Sequence, residues 1–181
     1  MRILMMSNEY PPHVYGGAGV HVDHLCRELM RMVGDAHRLQ VLCFGDQREI
    51  GTHVDVRGIA GIPMLSCRDG NHKKVIDVLG RNIAMAGQAG DADIVHCHTW
   101  YTYLAGCLGK QFMDIPMLLT VHSLEPMRPW KREQIGNGYN VSSWLEKTAL
   151  ENADGIIAVS LGMKNDILNT YRAAPEKIRV I

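Results

Sequence analysis

Short, continuously apolar runs alternate along this chain with longer segments whose apolar residues recur at helical spacing, and no other feature constrains the fold as tightly. The runs are Arg2 to Met6, Leu39 to Phe44, His53 to Val56, Ile94 to His98, Met117 to His122, Gly155 to Val159 and Ile178 to Ile181. A strand that is apolar at successive positions must be covered on both faces, as a parallel strand in a helix-flanked sheet is. Helices are expected at about Gly17 to Met32, Asn71 to Ala86, Tyr101 to Phe112, Ser142 to Asn152 and Ser160 to Thr170, and from Val20 the apolar positions Leu25, Leu29, Met32 and Val33 recur at roughly helical spacing. The pattern predicts an α/β fold, a doubly wound parallel sheet. At 181 residues, the chain 1–181 makes one domain of this kind and is too short for two ordinary ones.

Composition narrows the partners. Lysine plus arginine and aspartate plus glutamate each number 19, and the basic residues are scattered. Nothing resembles the basic stripe that holds a nucleic-acid backbone, so no nucleic-acid partner is expected. No apolar run approaches the roughly 18 residues of a membrane span, and Met1 to Ser7 lacks the long apolar core of a signal peptide. A cytoplasmic protein without a membrane partner is the expectation. Of the five cysteines, Cys43, Cys97 and Cys107 lie in apolar or small-residue surroundings without a zinc-type CxxC pair, and read as reduced core residues.

In an open parallel sheet, ligands collect outside the carboxyl ends of the strands, so the residues just after strands carry the chemistry. After the first run comes Glu9-Tyr10-Pro11-Pro12-His13-Val14-Tyr15-Gly16-Gly17-Ala18-Gly19, directly before a helix. Unpaired N–H groups and the positive end of the helix dipole favour a phosphate there, and glycines allow close approach to the main chain. His98, Thr99, Trp100 and Tyr101 follow the fourth run, and His122, Ser123, Leu124 and Glu125 the fifth. The polar stretch Glu125 to Asn140, rich in Pro, Gly, Arg and Lys, reads as a functional loop.

Two other readings of these motifs are weaker. Period-two alternation puts His96 and His98 on one face of their strand, and with His122 they could chelate a metal. No Asp/Glu or Cys cluster accompanies them, so no metal is expected: His96 reads as a core histidine and His98, at the strand end, as a ligand-binding one. The dinucleotide fingerprint G-x-G-x-x-G fails, because Gly17 and Gly19 would need a small residue where Val22 stands, although Asp46 follows the second run.

Together, Glu-Tyr-Pro-Pro with Gly-Gly-Ala-Gly at 16–19, His-x-His-Thr-Trp-Tyr at 96–101 and Thr-Val-His-Ser-Leu-Glu-Pro-Met-Arg-Pro-Trp at 120–130 resemble the N-terminal half of retaining GT-B-fold glycosyltransferases. More narrowly the chain resembles bacterial ADP-glucose-using glycogen synthases of the maltose-1-phosphate-synthase type, to which Tyr139 to Trp144 and Ala158-Val159-Ser160 also conform. The resemblance implies a Rossmann-like, acceptor-side domain with its nucleotide-sugar domain outside this chain. It further implies glucosyl transfer with retention, in glycogen or α-glucan synthesis, from a nucleotide-glucose to a glucan or sugar-phosphate acceptor, without a cofactor. In that scheme Gly16, Gly17 and Gly19 serve the donor phosphate and sugar, and His98 is catalytic at the donor sugar. Thr99, His122 and Ser123 line the acceptor side, and Arg128 and Lys131 meet an acceptor phosphate. The isolated chain is expected to be inactive. Val14 stands where polymer-elongating relatives carry lysine, which favours a phosphorylated small acceptor. A non-catalytic nucleotide-binding module and a GT-B transferase with another acceptor are the alternatives.

Overall fold

The computed structural model describes residues 1–33, 37–51, 54–62 and 70–181. Its strands are β1 (Arg2–Ser7), β2 (Arg38–Phe44), β3 (Arg48–Ile50), β4 (Val54–Ile59), β5 (Ile94–His98), β6 (Met117–Val121), β7 (Gly155–Ala158) and β8 (Ile178–Val180). Between them run α1 (Gly17–Val33), α2 (Gly70–Ala86), α3 (Trp100–Met113), α4 (Lys131–Ile135), α5 (Gly138–Asn152) and α6 (Leu161–Thr170). The strands form one sheet in the order β3-β4-β2-β1-β5-β6-β7-β8. All neighbours are parallel except β3, which runs antiparallel to β4 at the edge.

The apolar runs became strands for the reason the pattern suggests. In β1, Ile3 and Met5 pack with Val22 and Cys26 of α1 on one face, while Leu4 and Met6 join the larger core that includes Met85 of α2, Tyr103 of α3 and Leu145 of α5. Both faces of β1 thus meet helices, which is what continuous apolarity requires.

The differences from the sequence pattern are local. Edge strand β3 carries no apolar signal in the sequence pattern, because all three of its residues are exposed. His53, the expected first residue of the third run, lies outside the described residues, and the strand extends instead from Val54 to Ile59. The buried stripe of α1 is built on Val22 and Cys26 with Leu25, Leu29 and Met30 beside them, whereas Met32 is 82% exposed. The expected loop Glu125 to Asn140 is mostly helical: a 3-10 turn at Glu125–Met127, then α4, then α5 starting four residues earlier than expected. Buried polar bonds hold this segment together where composition pointed to a loop. Ser160 caps α6, its hydroxyl accepting the Met163 N–H at 3.0 Å.

The strand order reverses between β1 and β5, both of which lead into helices from their carboxyl ends. A crevice at such a switch point is where ligands bind in open α/β sheets.

Candidate active site

A cleft of about 420 Å³ opens at that switch point. The β1–α1 segment supplies Asn8, Glu9, Tyr15, Gly16, Gly17 and Ala18; the β5–α3 junction supplies Thr99, Trp100 and Tyr101; the segment after β6 supplies His122, Ser123, Glu125, Arg128 and Lys131; and α5 supplies Glu146. The larger cleft of about 570 Å³ is its neighbour and shares Asn8, Tyr15 and Tyr101 with it. The smaller one collects the chemistry, since nearly all the residues singled out in the sequence border it.

The three glycines play different parts. The Glu9 carboxylate accepts the Tyr15 N–H at 2.9 Å and the Gly16 N–H at 2.7 Å through the same oxygen. Gly19 is buried against this arrangement, and a Cβ there would stand 2.8 Å from the Glu9 Cβ and 3.0 Å from Val14 Cγ1. Its missing side chain serves packing. A Cβ on Gly17 would meet nothing within 4 Å, so this glycine at the start of α1 opens its backbone to the cleft.

Thr99 joins β5 to α3 with φ 63° and ψ 159°, a conformation costing a non-glycine residue about 1–3 kcal/mol. Its hydroxyl donates to Asn8 Oδ1 at 2.9 Å, tying the end of β5 to the end of β1. Such strain collects at sites where position matters more than local stability.

The histidines divide as the alternation implies. His96 and His98 lie on one face of β5 with ring centroids 4.4 Å apart, and Cys97 is in the core on the other. His96 is buried and its Nε2 meets Thr120 Oγ1 at 2.7 Å, as a satisfied core histidine should. His98 is wholly buried; its Nδ1 lies 3.1 Å from His122 Nε2 and its Nε2 3.0 Å from Met5 Sδ. His122 borders the cleft, and His98 is one hydrogen bond behind it. Burial disfavours the imidazolium, driving His96 down to about 3, His122 down to about 4 and His98 well below its ordinary range. Both imidazoles of the His98–His122 pair are therefore neutral at physiological pH.

His21, on the first turns of α1, completes this group and was not singled out in the sequence. Its ring lies 4.9 Å from that of His122 and 5.6 Å from that of His98, centroid to centroid. The available signal was a histidine two residues beyond the glycine loop.

On the opposite wall, Lys131 and Arg128 part company. Lys131 is buried and pairs with the buried Glu125 at 2.6 Å, so its charge is already compensated. Ser142 Oγ donates to the other Glu125 oxygen at 2.7 Å and the Tyr139 hydroxyl to the Glu125 carbonyl at 2.8 Å. The Glu125 N–H donates to Glu146 Oε1 at 2.8 Å, and that oxygen also accepts the Tyr171 hydroxyl at 2.6 Å. Burial pushes the Glu146 carboxyl up to about 7 against the lowering effect of these bonds. Arg128 is only partly buried and donates to Ser123 Oγ at 3.2 Å. Its guanidinium and the Ser123 hydroxyl are thus presented together at the cleft. Trp100 adds a buried indole N–H that has no hydrogen-bond partner in the structure.

A neutral imidazole, hydroxyls, helix N-terminal amides and one arginine make a surface suited to sugar hydroxyls and an anion. Among the described residues no helix is long and apolar enough to cross a membrane.

Comparison with known proteins agrees with this architecture. The chain is 46% identical over 182 residues to the alpha-maltose-1-phosphate synthase of Mycolicibacterium smegmatis, covering all of this chain and 44% of that protein. It is 29% identical over 202 residues to the glycogen synthase of Mycobacterium tuberculosis, covering 47% of it. The chain thus spans less than half the length of these relatives. Among solved structures, the sucrose-phosphate synthase of Thermosynechococcus elongatus superposes with a TM-score of 0.71 at 18% identity, over 99% of this chain and 47% of that one. Anabaena HepE in complex with UDP-glucose superposes with a TM-score of 0.67 at 15% identity, over 100% of this chain and 43% of that one. The profile of Glycosyltransferase Family 4 matches residues 15–181, and the chain belongs to that family, folded as the Rossmann-like N-terminal half of a GT-B glycosyltransferase.

Proposed function

We propose that this chain is the acceptor-side domain of a retaining glucosyltransferase that moves glucose from ADP-glucose to glucose 1-phosphate, with an α-glucan as the second acceptor. The nucleotide pocket then belongs to a further domain outside this chain, consistent with the share of the relatives that the chain covers. The observation that carries the reading is the meeting of Gly17, His122, Thr99, Ser123 and Arg128 around one cleft at the switch point.

In this reading the N-terminal amides of α1 at Gly17 face the donor diphosphate. The His98–His122 pair presents a neutral imidazole edge where donor sugar and acceptor meet, His98 acting toward the donor sugar from beneath and His122, at the surface, lining the acceptor side. Such preorganised dipoles stabilise developing charge at the reacting carbon without reorganising during the reaction. Thr99 and Ser123 bind acceptor hydroxyls, and Arg128 pairs with the acceptor phosphate through charge-assisted hydrogen bonds. Lys131 acts indirectly, fixing Glu125 and with it the segment that carries Arg128.

The test is steady-state transfer by the full-length protein from ADP-glucose, with glucose 1-phosphate and glycogen offered separately and the product's anomeric configuration read by NMR. Glucose 1-phosphate should be the better acceptor. Ready extension of glycogen with no use of glucose 1-phosphate would replace this reading with polymer elongation.

A further inference from the structure

We propose that His21, His98 and His122 form a binding site for a single borderline transition-metal ion, of the zinc(II) or cobalt(II) class, at the floor of the cleft. The three rings come from three separate elements, α1, the end of β5 and the segment after β6, and one ligand nitrogen from each lies within 4.8 Å of the others. His98 Nδ1 and His122 Nε2 are 3.1 Å apart. Two nitrogens on a tetrahedral ion with metal–nitrogen bonds of about 2.0–2.1 Å stand about 3.3–3.4 Å apart, so this pair already has nearly the spacing that chelation needs.

The third ligand comes from nearer the surface. His21 is a partly exposed side chain on α1, and its ligand nitrogen lies within 4.8 Å of those of His98 and His122. Strand alternation makes His96 the companion of His98 in the sequence, but Thr120 Oγ1 engages the His96 Nε2. The fold replaces it with a histidine from α1, which the linear pattern did not single out.

Donor chemistry selects the ion. Three imidazoles without a carboxylate suit zinc, cobalt, nickel or copper and offer little to magnesium or calcium, which prefer oxygen. The backbone of His98 is held by the Thr102 hydroxyl, which donates to the His98 carbonyl at 3.0 Å, so the deepest ligand sits on a fixed support. His122 borders the cleft, so the fourth coordination position faces it. A bound ion would then occupy the imidazole edge that the proposed sugar site uses, making the metal an inhibitor that competes with the sugar. Metal binding itself does not depend on the nucleotide-sugar reading.

Equilibrium dialysis of the full-length protein against zinc(II), with cobalt(II) as the spectroscopic probe, tests the site without any activity assay. One ion per chain and the intense visible bands of four-coordinate cobalt are expected. His21→Ala and His122→Ala should each weaken binding by at least the roughly 10–100-fold lost when even an outer-shell partner of a metal ligand is removed. His24→Ala, an exposed histidine of the same helix, should leave binding unchanged. Absence of saturable binding by the parent protein, or stoichiometric binding that survives His21→Ala with unchanged affinity, would overturn the proposal. Circular dichroism of each variant separates loss of the site from loss of the fold.

Discussion

The carboxylate of Glu9 accepts the backbone N–H of Gly16 at 2.7 Å, so the glycine loop already holds an anion from its own chain. Its partner contact to the Tyr15 N–H makes Glu9 a clamp on the residues just before α1. The amides left for an external phosphate therefore begin at Gly17. This relationship also explains why position 19 must be glycine: the clamp leaves no room for a Cβ.

Gly19→Ala should accordingly destabilise the fold by about 1–3 kcal/mol, the range for inserting a methyl into a filled space. Gly17→Ala should leave stability within about 0.5 kcal/mol, as substitutions at open positions do. It should instead raise KM for the nucleotide sugar in the full-length enzyme. Urea unfolding of both variants beside donor kinetics separates the two roles.

Lys131→Met leaves the buried Glu125 carboxylate without its counter-charge, and removing one partner of a buried pair costs about 3–5 kcal/mol. The variant should therefore melt at lower temperature, and a Lys131→Met/Glu125→Gln double variant should recover part of the loss. A Lys131→Met protein as stable as the parent would show that the pair contributes nothing.

Arg128→Ala should act on kinetics. Losing a hydrogen bond to a charged group costs about 1.5–3 kcal/mol, so KM for glucose 1-phosphate should rise roughly 10- to 100-fold. KM for ADP-glucose should hardly change. Equal effects on both substrates would place Arg128 away from the acceptor.

His98→Ala should lower kcat on the order of 10²–10³, comparable to removing one preorganised polar group, with nucleotide binding little affected. His96→Ala should act through stability, leaving Thr120 Oγ1 unpaired in the core at about 1–3 kcal/mol. Measuring kcat and the unfolding midpoint for both variants tests the division of labour along one strand.

Stability should fall as pH drops from 7 to 5. His96, His98 and His122 have folded-state pKa values depressed below the ordinary 6.5, so in this window the unfolded chain takes up protons that the folded one refuses. Their stabilisation is present above 6.5 and is lost as pH falls toward the depressed values. Glu146 opposes them: with its carboxyl raised to about 7, the folded chain holds a proton that the unfolded one releases, favouring folding at low pH and losing that contribution as pH rises through 7. With His21, which burial also lowers, four histidines stand against one glutamate and leave the acid-side loss dominant. Chemical denaturation across this range should show it, and His96→Gln should flatten the slope by up to about 1.4 kcal/mol per pH unit, the value of one proton.

Much of this was legible in the linear pattern, because it depends on neighbours along the chain. Continuous apolar runs placed β1, β5, β6, β7 and β8 within a residue or two, and period-two alternation put His96 and His98 on one face. The rule that ligands gather after parallel strands located the cleft, since each of Gly17, Thr99 and His122 follows a strand. Other assignments rest on contacts between residues far apart in sequence or on local burial that composition does not reveal. Nothing in Glu9 or Gly19 alone shows that one excludes a Cβ from the other, and nothing in Lys131 shows that its charge is neutralised by Glu125 within the core. The segment from Glu125 to Asn140 has the composition of a loop, yet is helical because the polar groups of Glu125 find buried partners on α5. His21 joins His98 and His122 only when α1 packs across the face of β1 and β5. Local periodicity records which face a residue occupies, but packing alone determines which distant side chain meets it and whether a polar group there stays free for a ligand.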